Sequence, residues 1–102
     1  MKPKQVDLIA VNEFCSHQNI EISFINLLQE NGLIEISTIE SRCFVEKEQL
    51  PQIEKFIRFY YELDINLEGI ETINHLLHRI EELQGENIKL KNKLRFYETS
   101  SF

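Results

Sequence analysis

The chain has 102 residues, 42% of them apolar and 27% charged, and a formal net charge of -6. This length and composition favour one small folded domain, and they argue against disorder and against an enzyme cleft with its own supporting shell. No Lys or Arg occurs between Gln5 and Ser41, so the negative charge is concentrated in the N-terminal half. An acidic body repels nucleic-acid phosphates and attracts basic protein surfaces.

The expected compartment is the cytoplasm. No apolar run approaches the ~20 residues of a membrane span. The N-terminal sequence MKPKQVDLIAV lacks an apolar core followed by a small-residue cleavage site. Cys15 and Cys43 do not form a disulfide framework, so we expect reduced thiols.

The first elements are short. Gln5–Ile9 predicts a strand or extended arm, and Val11–His17 a short amphipathic helix. After a turn, Glu21–Asn31 predicts a second helix, which Gly32 ends because glycine adopts the left-handed conformation freely. The apolar positions of these two helices are Val11, Phe14, Cys15, Ile22, Ile25, Leu27 and Leu28.

A hairpin and a third helix follow. Leu33–Ser37 and Arg42–Glu46 are rich in β-forming residues, and Thr38–Ser41 joins them. Pro51 suits the first turn of a helix that ends near Glu62–Asp64. Its apolar face carries Ile53, Phe56, Ile57 and Tyr60.

The last helix is predicted over Leu67–Tyr97. The element order predicts a mostly α fold: a winged helix-turn-helix with a small β-hairpin wing and a long C-terminal coiled-coil helix. We expect the winged body to span residues 1–64 and the dimerisation helix residues 65–102, as one structural unit.

The long helix carries a heptad pattern. Seven of its eight a and d positions are apolar or aromatic, which is typical of a coiled-coil seam. The exception, Asn87, costs stability at an a position but can specify register and dimeric state. We expect a homodimer whose interface contains Ile73, Leu76, Ile80, Leu83, Asn87, Leu90, Leu94 and Tyr97.

The direction of this pairing stays open. A parallel pair would place Glu86 opposite Lys91 and Lys93 opposite Glu98, but exposed ion pairs contribute only tenths of a kcal/mol. The alternative to dimerisation is that the helix folds back on its own domain.

Catalytic and metal-binding patterns are not found. The soft metal ligands lack the spacing of a zinc site, and two neighbouring histidines do not make one. We find no nucleophile–base pattern, no phosphate-binding glycine loop and no G-x-S-x-G motif. We therefore expect no enzyme activity, no metal and no cofactor. The soft metal ligands of the chain are Cys15, His17, Cys43, His75 and His78.

Direct DNA binding is disfavoured despite the predicted topology. A recognition helix needs hydrogen-bond donors at base edges and cations at the phosphates. The second helix offers Ser23, Asn26 and Gln29, but no cation. Without phosphate neutralisation most of the sequence-independent binding energy is lost.

Two families resemble this chain. The segment Ala10–Leu33 with the hairpin and the Glu48–Leu50 helix start resembles the N-terminal domain of MerR-type regulators. That family usually carries basic residues at the positions where this chain has Ser16 and His17, and an Arg–Tyr pair where it has Asn26 and Leu27. This chain therefore departs from the family at DNA-contacting positions. MerR-type dimers pair this long helix antiparallel.

The closer resemblance is to CbpM, a MerR-like family of chaperone modulators without evident DNA-binding function. It covers about Gln5–Phe96 and rests on the order and spacing of several motifs. These are FCSHQNI (Phe14–Ile20), NGLIEI (Asn31–Ile36), the Phe44–Val45 pair and the run LDINLEGIETINHLLHRIEELQGENIKLKNKL (Leu63–Leu94).

The resemblance implies a function. CbpM binds the J-domain of a DnaJ-like co-chaperone, CbpA, blocks its stimulation of the Hsp70 chaperone DnaK, and restrains its DNA binding. J-domains present a basic helix, which an acidic body would attract. The candidate partner-binding residues are Glu21, Glu30, Glu35, Glu40, Glu46 and Glu48. The alternatives are a MerR-type DNA-binding transcriptional regulator and a scaffold for another basic protein.

Overall fold

The structure is a computed structural model. It describes residues 7–100, and it describes side chains up to residue 99. It is mostly helical and contains a small antiparallel sheet and a long C-terminal helix, as the sequence predicts. Gln5, at the start of the predicted arm, lies outside the described residues. The elements are β1 (Leu8–Ala10), α1 (Val11–Gln18), α2 (Ile22–Glu30), β2 (Ser37–Ile39), β3 (Arg42–Glu46), α3 (Leu50–Ile57) and α4 (Leu67–Ser100).

The chain divides into two compact units, with the boundary inside α4 between Ile70 and Glu71. Ile70 is fully buried in the core of the first unit. We call residues 7–70 the body and residues 71–100 the distal helix. No helix within the described residues combines the length and apolarity needed to cross a membrane.

Both helices of the helix-turn-helix end in the same way. The N–H of Ile20 donates to the carbonyl of Cys15, and the N–H of Leu33 donates to the carbonyl of Leu28. The residue before each donor is left-handed: Asn19 at φ 57° and Gly32 at φ 73°. These are Schellman motifs, which satisfy the last carbonyls of a helix and fold the following apolar residue back onto the core. The predicted turn after α1 and the predicted stop at Gly32 are both confirmed.

The buried face of α2 differs from the predicted one. Ile22 and Leu27 were expected on the apolar face, yet their side chains are 44% and 37% exposed. Phe24 takes their place in the core beside Ile25 and Leu28. These three residues lie within one narrow arc of the helix, and the aromatic ring of Phe24 buries more area than an aliphatic side chain would at that position.

The wing is shorter than predicted, and its first strand lies further along the chain. β2 pairs with β3 from Ser37 to Ile39, whereas Leu33–Ile36 is outside the sheet. The turn contains only Glu40 and Ser41, both with positive φ, as in a type I′ hairpin. The backbone N–H and carbonyl of Glu35 form hydrogen bonds with the side chain of Gln49, just before α3. The pairing of β2 with β3 therefore begins two residues later, at Ser37.

A third strand completes the sheet, whose order is β1-β3-β2. Leu8, Ile9 and Ala10 pair antiparallel with Glu46, Val45 and Phe44. The extended segment predicted before α1 is therefore confirmed over Leu8 and Ile9. Its pairing attaches the start of the helix-turn-helix to the wing, which keeps β3 from being an edge strand.

The core lies between the sheet and the helices. Ile53 and Phe56 of α3 are buried, with Ile57 and Tyr60 packed half-buried beside them, as predicted. After α3 the chain continues through a π-helical segment, Arg58–Glu62, in which the N–H of Leu63 donates to the carbonyl of Arg58. The remaining buried apolar residues are Ala10, Val11, Phe14, Cys15, Phe24, Ile25, Leu28, Ile34, Val45 and Ile70.

Candidate protein-binding surface

The body carries most of the negative charge of the chain. Residues 7–70 contain twelve acidic and four basic side chains, and all four basic ones lie at or after Arg42. The helix-turn-helix is therefore acidic throughout. Arg42 is placed over the ring of Phe44, with its guanidinium carbon 5.6 Å from the ring centroid, so one wing cation makes a contact within the wing.

The six predicted carboxylates are distributed over the body. Five are exposed, whereas Glu46 is half-buried where β3 pairs with β1. Glu21 precedes α2 and Glu30 ends it, Glu40 is in the wing turn, and Glu48 is in a 3₁₀ turn before α3. They form a broad acidic surface across several elements and do not share one helix face.

The outward face of α2 carries polar side chains beside the exposed Ile22 and Leu27, and it lacks cations. Ser23, Asn26 and Gln29 are exposed there, and the Ser23 hydroxyl donates to Glu21 Oε2 at 3.2 Å. A helix with this composition has amide and hydroxyl donors but no charge to neutralise phosphates.

A groove between the helix-turn-helix turn and the π-helical segment was not predicted from the sequence. We call it the aromatic groove; its volume is about 360 Å³. The Phe24 ring lies 4.6 Å from the Tyr60 ring and 5.3 Å from the Tyr61 ring, measured between centroids. The lining residues are Asn19, Ile20, Glu21, Ser23, Phe24, Leu27, Tyr60 and Tyr61.

The π-helical segment explains why two consecutive tyrosines reach the same phenylalanine. A π-helical turn contains more residues than an α-helical turn, so successive side chains point in different directions from those of an α-helix. Such segments recur at functional sites. Periodicity placed Tyr60 on the apolar face but gave no reason to group Tyr61 with it. The Phe59–Tyr61 aromatic run at a helix end was the signal available in the sequence.

Two groups of the body have shifted pKa values. Burial raises the pKa of the Cys15 thiol, which lies in the core. Burial also raises the pKa of the Tyr61 phenol; a hydrogen bond that the Glu21 backbone donates to the phenol oxygen opposes the shift, and the Glu21 carboxylate adds to it. Both groups therefore stay protonated at neutral pH.

The candidate metal ligands are dispersed. Cys15 is buried, Cys43 is exposed on β3, and His75 and His78 are exposed on α4. Within the described residues, no three His, Cys, Asp or Glu side chains are close enough together to hold a metal ion.

The distal helix exposes its predicted seam in the single chain. Ile73 is half-buried, and the other seam residues are exposed; the exposed fraction of the apolar ones runs from 47% for Leu83 to 65% for Tyr97. Ile88 and Phe96 are also exposed apolar residues, and they lie outside the predicted a and d positions. The exposed seam residues are Leu76, Ile80, Leu83, Asn87, Leu90, Leu94 and Tyr97.

These features define a winged helix-turn-helix protein with an acidic body and an appended long helix. Residues 9–92 match the family described as MerR HTH family regulatory protein, and the chain belongs to that family. The comparisons with curated proteins and with solved structures gave no significant match. The MerR-like part of the resemblance is thus confirmed.

Proposed function

We propose that this protein is a chaperone modulator of the CbpM type. It binds the J-domain of a DnaJ/CbpA-like co-chaperone and inhibits both its stimulation of Hsp70 (DnaK) and its DNA binding. The observation that carries the proposal is a helix-turn-helix that keeps its core but has no cation on α2. The CbpM-like motifs from Phe14 to Leu94 support it. In this proposal the protein is cytoplasmic, needs no cofactor and catalyses no reaction.

The physical basis is charge complementarity. A body with twelve acidic and four basic residues steers a basic surface toward it, and this steering weakens as salt screens it. Glu30 and Glu40 are exposed at the end of α2 and in the wing turn, where they are accessible to a partner. Inhibition then follows from covering the J-domain surface that engages Hsp70.

Gel filtration of the purified protein with a J-domain co-chaperone, at low salt and at 0.5 M salt, tests the proposal. We expect a complex at low salt, weaker association at high salt, and loss of co-chaperone-stimulated ATPase activity. Glu30→Gln with Glu40→Gln should weaken the complex. Glu71→Gln with Glu81→Gln removes the same charge from the distal helix and should have less effect. No complex at low salt and unchanged ATPase activity would refute the proposal.

The second candidate is a MerR-type DNA-binding transcriptional regulator, with which the family match is equally compatible. A gel shift on random-sequence duplex at low salt separates the two, because the proposed modulator should leave the duplex unshifted. Clear retardation by the protein alone would reverse the ranking. A pull-down from lysate distinguishes a J-domain partner from another basic protein.

We further propose that the protein is a homodimer paired through the seam Ile73–Tyr97 of α4. In isolation this helix leaves a row of large apolar side chains in water, which a second copy would cover. A Leu76→Cys variant in a Cys43→Ser background tests whether the two α4 helices pair parallel or antiparallel. A parallel pair brings the two Leu76→Cys thiols together and forms a disulfide under oxidation, whereas an antiparallel pair separates them.

A further inference from the structure

The aromatic groove combines one carboxylate with a packed cluster of rings. Tyr60 and Tyr61 lie 5.1 Å apart between centroids at 75°, and both pack against Phe24. Glu21 lines the same groove, and none of the residues that line it is basic. Ring faces together with a carboxylate favour a cationic group, since both present negative charge to it.

We propose that the aromatic groove binds an arginine side chain of a partner protein, with the guanidinium between the Tyr61 ring and the Glu21 carboxylate. This inference rests on the proposed function insofar as the partner is a J-domain co-chaperone, and it names where that partner is anchored. It adds one defined pocket to the broad acidic surface of the body.

Arginine fits this site better than lysine. Its guanidinium is planar, so it stacks on an aromatic face while its N–H groups point to a carboxylate. Glu21 Oε2 already accepts a hydrogen bond from the Ser23 hydroxyl, which orients the carboxylate, and its remaining acceptor sites suffice for guanidinium donors. An ammonium would also be attracted to the carboxylate and the ring, but it has no plane to stack on the ring while it donates to the carboxylate.

The groove is largely preformed. The Tyr61 side chain is 47% exposed, yet the contacts of its ring with Phe24 and Tyr60 restrict its position. A ring that is already ordered loses little conformational entropy when a ligand stacks on it. Arginine and tyrosine are also the residue types that most often dominate binding energy at protein interfaces.

A second groove of the body provides the matched control. It too has a volume of about 360 Å³ and contains two carboxylates, Glu13 and Glu54, but its rings are the buried Phe14 and the imidazole of His17, with no tyrosine. If carboxylates alone determined binding, this groove would also bind cations. The Glu54→Gln variant therefore removes one negative charge without touching the aromatic groove.

The first test is an NMR titration of the full chain with N-acetyl-arginine amide, using N-acetyl-citrulline amide as its neutral isostere. We expect saturable shifts of the Glu21, Tyr60 and Tyr61 amides with arginine, weaker shifts with N-acetyl-lysine amide, and none with citrulline. Glu21→Gln and Tyr61→Leu should abolish them, and Tyr61→Phe and Glu54→Gln should retain them. Equal shifts with citrulline, tighter binding of lysine, or no shifts at the groove would overturn the inference.

The second test measures affinity for the J-domain co-chaperone. Glu21→Gln and Tyr61→Leu should each weaken binding roughly threefold to tenfold, the range expected for a charge-assisted contact and a cation–π contact. Tyr61→Phe, which keeps the ring, should rescue most of the loss and also controls for folding. Wild-type binding with unchanged affinity of Glu21→Gln and Tyr61→Leu would refute the anchor but leave the proposed function standing. Absence of wild-type binding would refute the proposed function. The NMR titration alone would then decide whether the aromatic groove binds arginine.

Discussion

The side-chain amide of Gln49 makes two hydrogen bonds to the backbone of Glu35. Gln49 Oε1 accepts from the Glu35 N–H, and Gln49 Nε2 donates to the Glu35 carbonyl, each at 2.8 Å. The two residues belong to segments on either side of the wing, so the pair closes the base of the hairpin. It also satisfies backbone groups that a longer β2 would otherwise have paired.

The Gln49 pair should contribute to stability. We expect Gln49→Ala to lower the free energy of unfolding by about 1–2 kcal/mol, because it removes two hydrogen bonds at a half-buried position. Urea unfolding followed by circular dichroism measures this. Gln29→Ala, at an exposed position of α2, is the control and should change stability by less than about 0.5 kcal/mol. An equal loss of stability in Gln49→Ala and Gln29→Ala would contradict a stabilising role for the Gln49–Glu35 hydrogen bonds.

Gly69 and Gly85 should respond oppositely to alanine. A Cβ on Gly69 would lie 2.7 Å from Ile65 Cγ2 and 3.1 Å from Asn66 Oδ1, the atom that accepts from the Gly69 N–H and caps α4. A Cβ on Gly85 meets nothing within 4 Å. Alanine is favoured over glycine in a helix by about 1 kcal/mol, so Gly85→Ala should raise the melting temperature.

Gly69→Ala should lower the melting temperature instead, because the clash displaces the capping side chain and a branched core neighbour. Thermal unfolding of the two single variants gives the comparison. A rise in melting temperature for Gly69→Ala would show that the first turn of α4 adapts without cost.

The wing turn is strained by its residue types. Glu40 and Ser41 have φ of 49° and 67°, a conformation that asparagine and glycine adopt at lower cost. We expect the double change Glu40→Asn with Ser41→Gly to stabilise the fold by about 1 kcal/mol in chemical unfolding. The control, Thr38→Gly in β2, should destabilise it, since glycine in a strand loses more entropy on folding. A loss of stability in the double variant would contradict a type I′ turn.

The two cysteines should differ in reactivity. Cys43 is exposed, whereas Cys15 is buried and its thiol pKa is raised by burial, which lowers its thiolate fraction at any given pH. A thiol reagent such as DTNB at pH 8 should modify one cysteine quickly and the second only on unfolding. Cys43→Ser should abolish the fast phase. Two fast thiols in the native protein would contradict burial of Cys15.

The seam of α4 should control oligomeric state. We expect Leu83→Asp or Leu90→Asp to lower the mass measured by light scattering to that of a monomer, because a charge at a d position has no buried partner. Asn92→Asp introduces the same charge at an outward f position and should leave the mass unchanged. A dimer that persists in both seam variants would mean that other residues form the interface, for which Ile88 and Phe96 are the exposed candidates.

Local sequence signals predicted the elements well where backbone chemistry is decisive. Gly32 ends α2, Pro51 lies in the first turn of α3, and the apolar residues Ile53 and Phe56 fall on the buried face. The absence of cations from α2, on which the functional proposal rests, is likewise visible in the sequence alone. These properties depend on residues a few positions apart, so periodicity and turn chemistry suffice to predict them.

Other features required the tertiary structure. Phe24 replaces Ile22 and Leu27 in the core because the fit to neighbouring elements, and not helical spacing, selects among adjacent apolar residues. The aromatic groove exists because a π-helical segment directs Tyr60 and Tyr61 toward Phe24, which is more than thirty positions earlier in the chain. The sequence by itself determined the helix-turn-helix, the wing, the long helix and the acidic charge. Only three-dimensional packing decided which side chains meet to form a pocket, because such contacts join residues distant in the chain.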